Sequence, residues 1–207
     1  MPVRKEFLFT TREQARQTLG LSGQVVVSAF GSQGAKVMNE TIADMMALEQ
    51  ADGFPFHHIH ATGSFGKEWM PKRVKAGGVD WENCAALDIR EYIYDMPRVM
   101  AAADLVIGRA GSATCNEIGA SGTPCILIPS PNVTNNHQEK NARVLEAGGG
   151  AVVLLEKDCT PKKLYDLIRS LLADEDRRRE MSRRLHAMVR LDSAEQICGI
   201  VEKLSKR

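Results

Sequence analysis

The sequence lacks an excess of charge of either sign. Its 27 Lys and Arg residues nearly balance 26 Asp and Glu residues, which gives a formal net charge of +1 at pH 7. This balance gives no electrostatic reason to expect binding to nucleic acid or to an anionic membrane. Basic clusters at 177–179 and 183–184 are interleaved with acidic residues in a helical pattern, so we interpret them as a solvated helix face.

The cysteines lack the close pairing that a zinc site or a disulfide framework requires. They are odd in number, widely spaced and without a C-x-x-C pair. The five are Cys84, Cys115, Cys125, Cys159 and Cys198. Most lie among apolar or small residues, where a free thiol behaves as a small hydrophobic side chain. We therefore expect a reducing, cytosolic compartment.

Long apolar runs are also absent. No stretch approaches the roughly 18 apolar residues that a membrane-spanning helix needs, and residues 1–6 are not followed by the apolar segment of a signal peptide. Apolar residues make up 43% of the chain and charged residues 26%, as in globular proteins with one substantial core. We expect a single domain over residues 1–207.

Short β-branched runs alternate with longer helical periods along the chain. The pattern predicts strands at 24–29, 55–61, 83–88, 104–108, 124–129 and 151–155. It predicts helices at 33–48, 65–76, 94–103, 112–121 and 137–147, and two or three more from residue 161 to about 204. Pro97 is expected in the first turn of its helix. Such alternation implies a doubly wound parallel sheet, a Rossmann-like α/β fold that binds ligands at the carboxyl ends of its strands.

The common phosphate-binding motifs are missing, because the chain has neither G-x-G-x-x-G nor Gly-Lys-Ser/Thr. The first predicted strand nevertheless runs through Gly31, Ser32, Gln33 and Gly34 into a helix. Small residues leave backbone N–H groups exposed, and the helix N-terminus adds partial positive charge, so this turn suits a diphosphate. The alternative is a turn that needs glycine only for its backbone conformation.

The turn after the fourth predicted strand also consists of small residues, and it carries a cation. Arg109 is followed by Gly111 and by Ser112, a candidate helix cap. Glu117 lies about one helical turn further on. Its carboxylate could there accept hydrogen bonds from both hydroxyls of a ribose. The alternative is a surface glutamate near the start of a helix.

The segment after the fifth predicted strand, residues 129–142, is polar, contains two prolines and is rich in amide side chains. Amides both donate and accept hydrogen bonds, as recognition of sugar hydroxyls requires. Helix capping by Asn135 or Asn136 is the alternative. The sequence offers no Ser-His-Asp set, no H-E-x-x-H motif and no support for His137 as a base. We therefore assign no catalytic residue and no metal site.

Five segments match, in order, the motifs of one known family. They are residues 2–4 (family N-P-V-R), 31–35 (G-G-S-Q-G-A), 92–96 (F-I-x-D-M), 109–117 (R-x-G-A-x-T-x-x-E) and 137–142 (Q-x-x-N-A). Together they resemble the MurG family of glycosyltransferase family 28, bacterial transferases that add N-acetylglucosamine to a lipid-linked muramyl precursor. The resemblance implies a GT-B enzyme, of which this sequence is similar to the second, donor-binding domain only.

The resemblance also implies a donor and a set of contacts. UDP-N-acetylglucosamine would be the substrate, without a required cofactor. By this resemblance, the diphosphate would bind at Ser32 and Gln33, with Arg4 near it. The backbone of Ile93 would contact uracil, and Glu117 would hold the ribose. His137 and Gln138 would contact sugar hydroxyls, and Arg109 would lie near the sugar or the phosphate. Gly31, Gly34, Gly111, Ser112 and Asn141 complete the expected substrate-binding set.

Three positions depart from the family pattern. Phe30 replaces the first glycine of the phosphate turn, so we expect the backbone there to approach phosphate less closely. His137 stands where the family often has glutamine, which leaves the exact sugar open. Met1 replaces asparagine, which suggests a start at the domain boundary.

The family's first domain, which binds the lipid-linked acceptor, has no counterpart in this sequence. We therefore expect the chain alone to be inactive and to work with a missing N-terminal acceptor domain or a separate partner subunit. Three interpretations stay open: a donor domain separated from a MurG-like enzyme, a natural subunit of a split transferase, and a non-catalytic UDP-sugar-binding module. The expected location is the cytoplasm, or the inner face of the membrane through the partner. For the complete enzyme the resemblance implies an inverting displacement at the anomeric carbon, with UDP leaving.

Overall fold

The computed structural model describes residues 2–189 and 192–205, so the prediction for Met1 lies outside the described residues. Its centre is a six-stranded parallel sheet of order β3-β2-β1-β4-β5-β6. The strands are β1 (Val25–Ala29), β2 (His57–Ala61), β3 (Leu87–Arg90), β4 (Leu105–Gly108), β5 (Cys125–Leu127) and β6 (Ala151–Val153). The predicted doubly wound α/β fold is confirmed. The strand order reverses between β1 and β4.

Ten α-helices surround the sheet in the described part of the chain. They are α1 (Glu6–Phe9), α2 (Arg12–Leu19), α3 (Lys36–Ala51), α4 (Met70–Ala76), α5 (Met96–Ala102), α6 (Ser112–Ser121), α7 (His137–Ala147), α8 (Pro161–Ala173), α9 (Glu175–Met188) and α10 (Ser193–Ser205). Helices α6 and α7 have the predicted bounds, and Pro97 lies in the first turn of α5. Helices α1 and α2 were not predicted.

Three helices begin later than predicted: α5 begins two residues late, at Met96, and the shifts of α3 and α4 are larger. Helix α3 begins at Lys36 because Gly34 has a φ of +80° and Ala35 is extended. Helix α4 begins at Met70, because residues 64–69 form turns after β2. Both shifts leave an irregular segment between a strand and its helix, at the carboxyl edge of the sheet.

Strand ends also differ from the prediction. Residues Trp81–Asn83 form a 3-10 helix, so β3 begins only at Leu87. Strand β5 is confined to three residues between Pro124 and Pro129. Proline has no N–H to donate to a ladder, so it commonly lies at the end of a strand.

The core lies on both faces of the sheet, because alternate residues of a strand point to opposite sides. Val26 packs with Met38 and Ile42 of α3 on one face. Val25 and Val27 pack on the other face, in a cluster that includes residues of α5, α6 and α7. All of these β1 side chains are fully buried.

Helix α9 lies unusually close to its neighbours, because glycines face it. A Cβ atom added to Gly119 would lie 2.0 Å from Val189 Cγ2, and one added to Gly122 would lie 2.1 Å from His186 Nε2. The opposite face of α9 carries exposed ion pairs between its arginines and Glu175 or Glu180. The predicted solvated face is confirmed for these arginines, whereas Arg178 is half-buried and donates to the carbonyls of Leu171 and Leu172.

Two kinds of feature are not found among the described residues. In residues 2–189 and 192–205, no helix combines the length and apolar character needed to span a membrane. The same residues contain no cluster of three or more His, Cys, Asp or Glu that could hold a metal ion. All five cysteines are free thiols, and Cys125 and Cys159 are buried.

Candidate functional site

Two predicted turns meet where the strand order reverses. Ala29, the last residue of β1, pairs with Gly108, the last residue of β4. The turn through Ser32 and the turn through Arg109 therefore start side by side at the carboxyl edge of the sheet. Ligands of doubly wound sheets bind at this kind of switch point.

Glycines let the turns after β1 and β2 approach each other within backbone contact. A Cβ on Gly34 would lie 2.1 Å from the carbonyl oxygen of Thr62, and one on Gly63 would lie 2.1 Å from the nitrogen of Gly34. Both glycines have a positive φ, a conformation that other residues rarely adopt. Gly31, at φ +91°, opens the first turn in the same way.

Backbone hydrogen bonds fix the turn after β1 without a ligand. The carbonyl of Ser32 accepts from Ser64 N–H at 3.1 Å, and that of Gln33 accepts from Phe65 N–H at 3.1 Å. The side chains of Ser32 and Gln33 are exposed and make no hydrogen bond to any described residue. A rigid turn with two uncommitted polar side chains is suited to hold an anionic ligand.

The N-terminus of α3 adds positive potential beside this turn. The helix has 16 residues, and its N-cap Ala35 supplies no side-chain acceptor. The first N–H groups of such a helix have no intrahelical partner and carry the positive end of the helix dipole. Phosphate groups bind well at this kind of helix end.

Helix α6 brings Glu117 next to a residue from the start of the chain. Partial burial raises the pKa of Glu117 above its ordinary value, and the positive charge of Arg4 acts in the opposite direction. The two side chains form no ion pair within 4 Å among the described residues, so Arg4 acts on Glu117 through its charge at longer range. The prediction that Ser112 caps α6 was wrong, because Gly111 is already the extended N-cap and Ser112 is the first helical residue.

Ile93 offers backbone atoms rather than a side chain. Its side chain is 2% exposed and belongs to the same apolar cluster as Ala110 and Ile118 of the β4–α6 region. Its N–H and C=O groups form no backbone hydrogen bond within the described residues. The exposed rings of Tyr92 and Tyr94 flank it, with centroids 4.9 Å apart. A free backbone donor and acceptor beside aromatic rings can read the edge of a base.

The entry to α7 has an unusual backbone. Asn135 and Asn136 both adopt left-handed conformations, with φ values of 55° and 50°. Asparagine tolerates this conformation better than other residues with a side chain, so the two amides suit this turn. Asn136 is the N-cap of α7, but its side chain donates to Glu139 instead of capping the helix, so the capping alternative was wrong for this residue. The exposed His137 forms a hydrogen bond from Nδ1 to the carbonyl of Thr134 at 3.0 Å.

Two amides of α7 connect this helix to the neighbouring turns. Gln138 Oε1 accepts from Ser130 N–H at 2.9 Å, and Asn141 Nδ2 donates to the carbonyl of Ala110 at 3.0 Å. Each side chain keeps its other polar atom uncommitted among described residues. The Asn141 bond holds α7 against the β4–α6 turn and so brings the second and third predicted segments together, whereas the Gln138 bond closes the segment between β5 and α7.

Arg109 is held by the protein itself. Its Nη1 donates to the carbonyl of Ile128 at 3.0 Å, its Nη2 forms an ion pair with Glu156, and its guanidinium lies 5.9 Å from the Phe30 ring centroid. The Arg109 side chain is only 12% exposed. The partner Glu156 was missed by the sequence analysis, because nothing in the sequence marks it except its place shortly after the sixth predicted strand.

A cavity of about 510 Å³ opens at this edge of the sheet, between the start of α3 and the segments that follow β5 and β6. Its polar lining includes Ser130, Asn136, Glu139, Glu156 and Lys157. Another cavity, of about 470 Å³, lies at the opposite edge beside Asp104 and Thr123 and contains none of the predicted site residues. None of the predicted site residues lines the first cavity either, so neither cavity by itself marks the predicted site.

Comparisons with known sequences agree on one family. The family model described as "Glycosyltransferase family 28 C-terminal domain" matches residues 25–197. Curated relatives include the UDP-N-acetylglucosamine--N-acetylmuramyl-(pentapeptide) pyrophosphoryl-undecaprenol N-acetylglucosamine transferases of Acetivibrio thermocellus and Caldanaerobacter subterraneus subsp. tengcongensis. They are 41% and 39% identical to this chain, each over 99% of it. The alignments cover 54% and 55% of the relatives, so the chain spans about half their length.

Solved structures share the fold at lower identity. The crystal structure of Acinetobacter baumannii MurG superposes with a TM-score of 0.74 at 24% identity, over 96% of this chain and 55% of that one. Anabaena Alr3699/HepE, in complex with UDP and glucose, gives 0.69 at 18% identity, over 100% of this chain and 55% of that one. The fold is therefore that of the C-terminal half of GT-B glycosyltransferases. Together with the matched residues, it shows that the chain belongs to glycosyltransferase family 28, as a C-terminal domain of that family.

Proposed function

We propose that the chain binds UDP-N-acetylglucosamine and forms the donor half of an inverting hexosyltransferase that acts on a lipid-linked acceptor, as in peptidoglycan precursor synthesis. The observation that carries this proposal is the rigid turn after β1. It presents the free side chains of Ser32 and Gln33 beside the uncapped N-terminus of α3, at the strand-order reversal. The names of the curated relatives state the same donor and acceptor class.

In this proposal the diphosphate binds at the turn after β1. Ser32 and Gln33 donate hydrogen bonds to its oxygens, and the α3 N-terminus and Arg4 supply positive charge. These groups act without a cofactor. As the bond to the sugar breaks, negative charge grows on the departing UDP, so donors already fixed in place stabilise the transition state.

The nucleoside and the sugar occupy the neighbouring turns. The backbone of Ile93 pairs with uracil, and Glu117 accepts from the ribose hydroxyls. His137 and Gln138 contact the sugar hydroxyls, while Asn141 holds α7 against the β4–α6 turn. The acceptor and the group that removes its proton would come from another domain or chain.

Helix α10 supports the proposal of a partner. Four of its apolar side chains are 49–63% exposed: Ile197, Ile200, Val201 and Leu204. An exposed apolar face of this kind is typical of a protein–protein contact, and the chain spans only about half of its curated relatives. We propose that the partner binds the lipid-linked acceptor at the inner face of the membrane. Either an acceptor domain of the same protein or a separate subunit would supply this partner, and the reaction would be the same.

The proposal of a partner is tested by mixing the chain with an acceptor-binding domain. The chain is combined with the remaining half of the Acetivibrio thermocellus relative, and UDP release is measured with UDP-N-acetylglucosamine and a lipid-linked muramyl acceptor. We expect turnover only in the mixture, and loss of turnover with Ile200→Glu while UDP binding by the chain is unchanged. Donor binding without turnover in any combination would favour the alternative, a non-catalytic UDP-sugar-binding module.

A further inference from the structure

The ion pair of Arg109 and Glu156 joins the ends of four strands. Arg109 follows β4, and its guanidinium contacts the Phe30 ring after β1, the Ile128 carbonyl after β5 and the Glu156 carboxylate after β6. Both charged side chains are mostly buried, at 12% and 15% exposure. A mostly buried pair is screened less by solvent than a surface pair, so its charges act on nearby groups.

This pair lies beside the turn that we propose for the diphosphate. Phe30, under the guanidinium, directly precedes Gly31 of that turn. Glu156 lines the 510 Å³ cavity at this edge, whereas Arg109 is not among the residues that line it. Within this pair, Glu156 therefore faces the cavity, and Arg109 lies behind it.

We propose that Glu156 is a positioning residue that holds the Arg109 guanidinium away from the donor diphosphate and neutralises it. The inference rests on the proposed function. The hydrogen bond to the Ile128 carbonyl and the contact with the Phe30 ring also hold the guanidinium in this position. With Glu156 paired, the net charge at this point is near zero, so Arg109 adds little to the attraction for phosphate.

The expected consequence is a difference in binding between the product UDP and the donor. The terminal phosphate of UDP carries a charge of about −1.5 to −2 at pH 7, since its second pKa is about 6. In the nucleotide sugar that phosphate is esterified and keeps only its first ionisation. An unneutralised guanidinium would therefore attract UDP more strongly than the donor, so Glu156 limits product inhibition and assists UDP release.

The test compares wild type with Glu156→Gln, which keeps the shape of the side chain and removes its charge. Calorimetry measures the Kd of uridine, UDP-N-acetylglucosamine and UDP at low salt. We expect Glu156→Gln to bind UDP about three- to tenfold more tightly, because a close charge is no longer cancelled. The gain should be smaller for UDP-N-acetylglucosamine and absent for uridine.

Two controls separate this role from a structural one. Glu180→Gln removes the same charge from an exposed ion pair on α9 and should leave all three affinities unchanged. Thermal melting of Glu156→Gln should show a lower Tm without ligand and a larger increase on adding UDP than wild type shows. Weaker UDP binding, or equal changes for all three ligands, would overturn the inference. Failure of wild type to bind UDP would instead reject the proposed function.

Discussion

At the scale of single residues, the interior of the sheet contains a chain of buried polar side chains. Ser28 Oγ forms hydrogen bonds with His58 Nε2 at 2.8 Å and His60 Nδ1 at 2.6 Å, and His58 Nδ1 does so with Glu49 Oε1 at 2.8 Å. All four side chains are fully buried. The sequence did not reveal this network, because the β2 histidines look like polar positions until the sheet places them over Ser28 of β1.

This network predicts a loss of stability in acid. Burial, and then the neighbouring His58, hold the pKa of His60 well below its ordinary 6.5. The unfolded chain therefore binds a proton at His60 before the folded chain does, and the free energy of unfolding decreases as the pH falls below about 6.5, by up to about 1.4 kcal/mol per pH unit. Urea denaturation between pH 7.5 and 5 should show a shallower dependence for His60→Gln than for wild type. Equal dependences would contradict this account.

The ribose contact is a second prediction at this scale. We expect Glu117→Ala to weaken UDP binding by about 1–3 kcal/mol, because a charged acceptor for hydroxyl groups is lost. The control ligand is 2′-deoxy-UDP, which wild type should bind more weakly than UDP. The variant should bind the two nucleotides almost equally by calorimetry. A variant that still prefers UDP would reject the role of Glu117.

At the scale of elements, contacts from distant residues decide which helices were predictable. Helices α6 and α7 follow strands and have clear sequence boundaries, so their bounds were predicted correctly. Helix α2 buries only Ala15, so its apolar pattern is short, although Thr11 caps its start and Gly20 follows its end. Its arginines Arg12 and Arg16 instead bond to Asp104 and to the backbone before β4. Such pairings depend on the folded topology and cannot be read from local sequence.

The contact of α6 with α9 predicts a difference between two similar glycines. Gly122 and Gly20 both end a helix with φ of +65°, but only Gly122 has a neighbour where a Cβ would be placed, the His186 ring at 2.1 Å. Gly20→Ala should cost about 1–2 kcal/mol through the left-handed backbone alone. Gly122→Ala should cost about 1–3 kcal/mol more, since the His186 ring must also move. Urea denaturation measures the loss of stability in each variant. Equal losses would show that the contact with α9 adds no cost.

At the scale of the whole molecule, the strand order collects segments that are far apart in sequence. Residues near 4, 32, 93, 117 and 138 belong to different loops and helices. The parallel sheet brings the turns after β1 and β4 together, and α7 is bonded to the latter. This arrangement was predictable, because it follows from strand–helix alternation and from motifs at strand ends. The Arg109–Glu156 pair was not, since it depends on the three-dimensional neighbourhood of β4 and β6.

The central claim is that this edge of the sheet recognises a uridine diphosphate. Isothermal calorimetry of the chain with UDP, UDP-N-acetylglucosamine and UDP-glucose, with GDP as the control, tests it most directly. We expect the uridine ligands to bind with a Kd in the micromolar-to-millimolar range, and GDP to be rejected because Ile93 offers its backbone to uracil. Equal binding of GDP, or binding of none of the uridine ligands, would contradict the account.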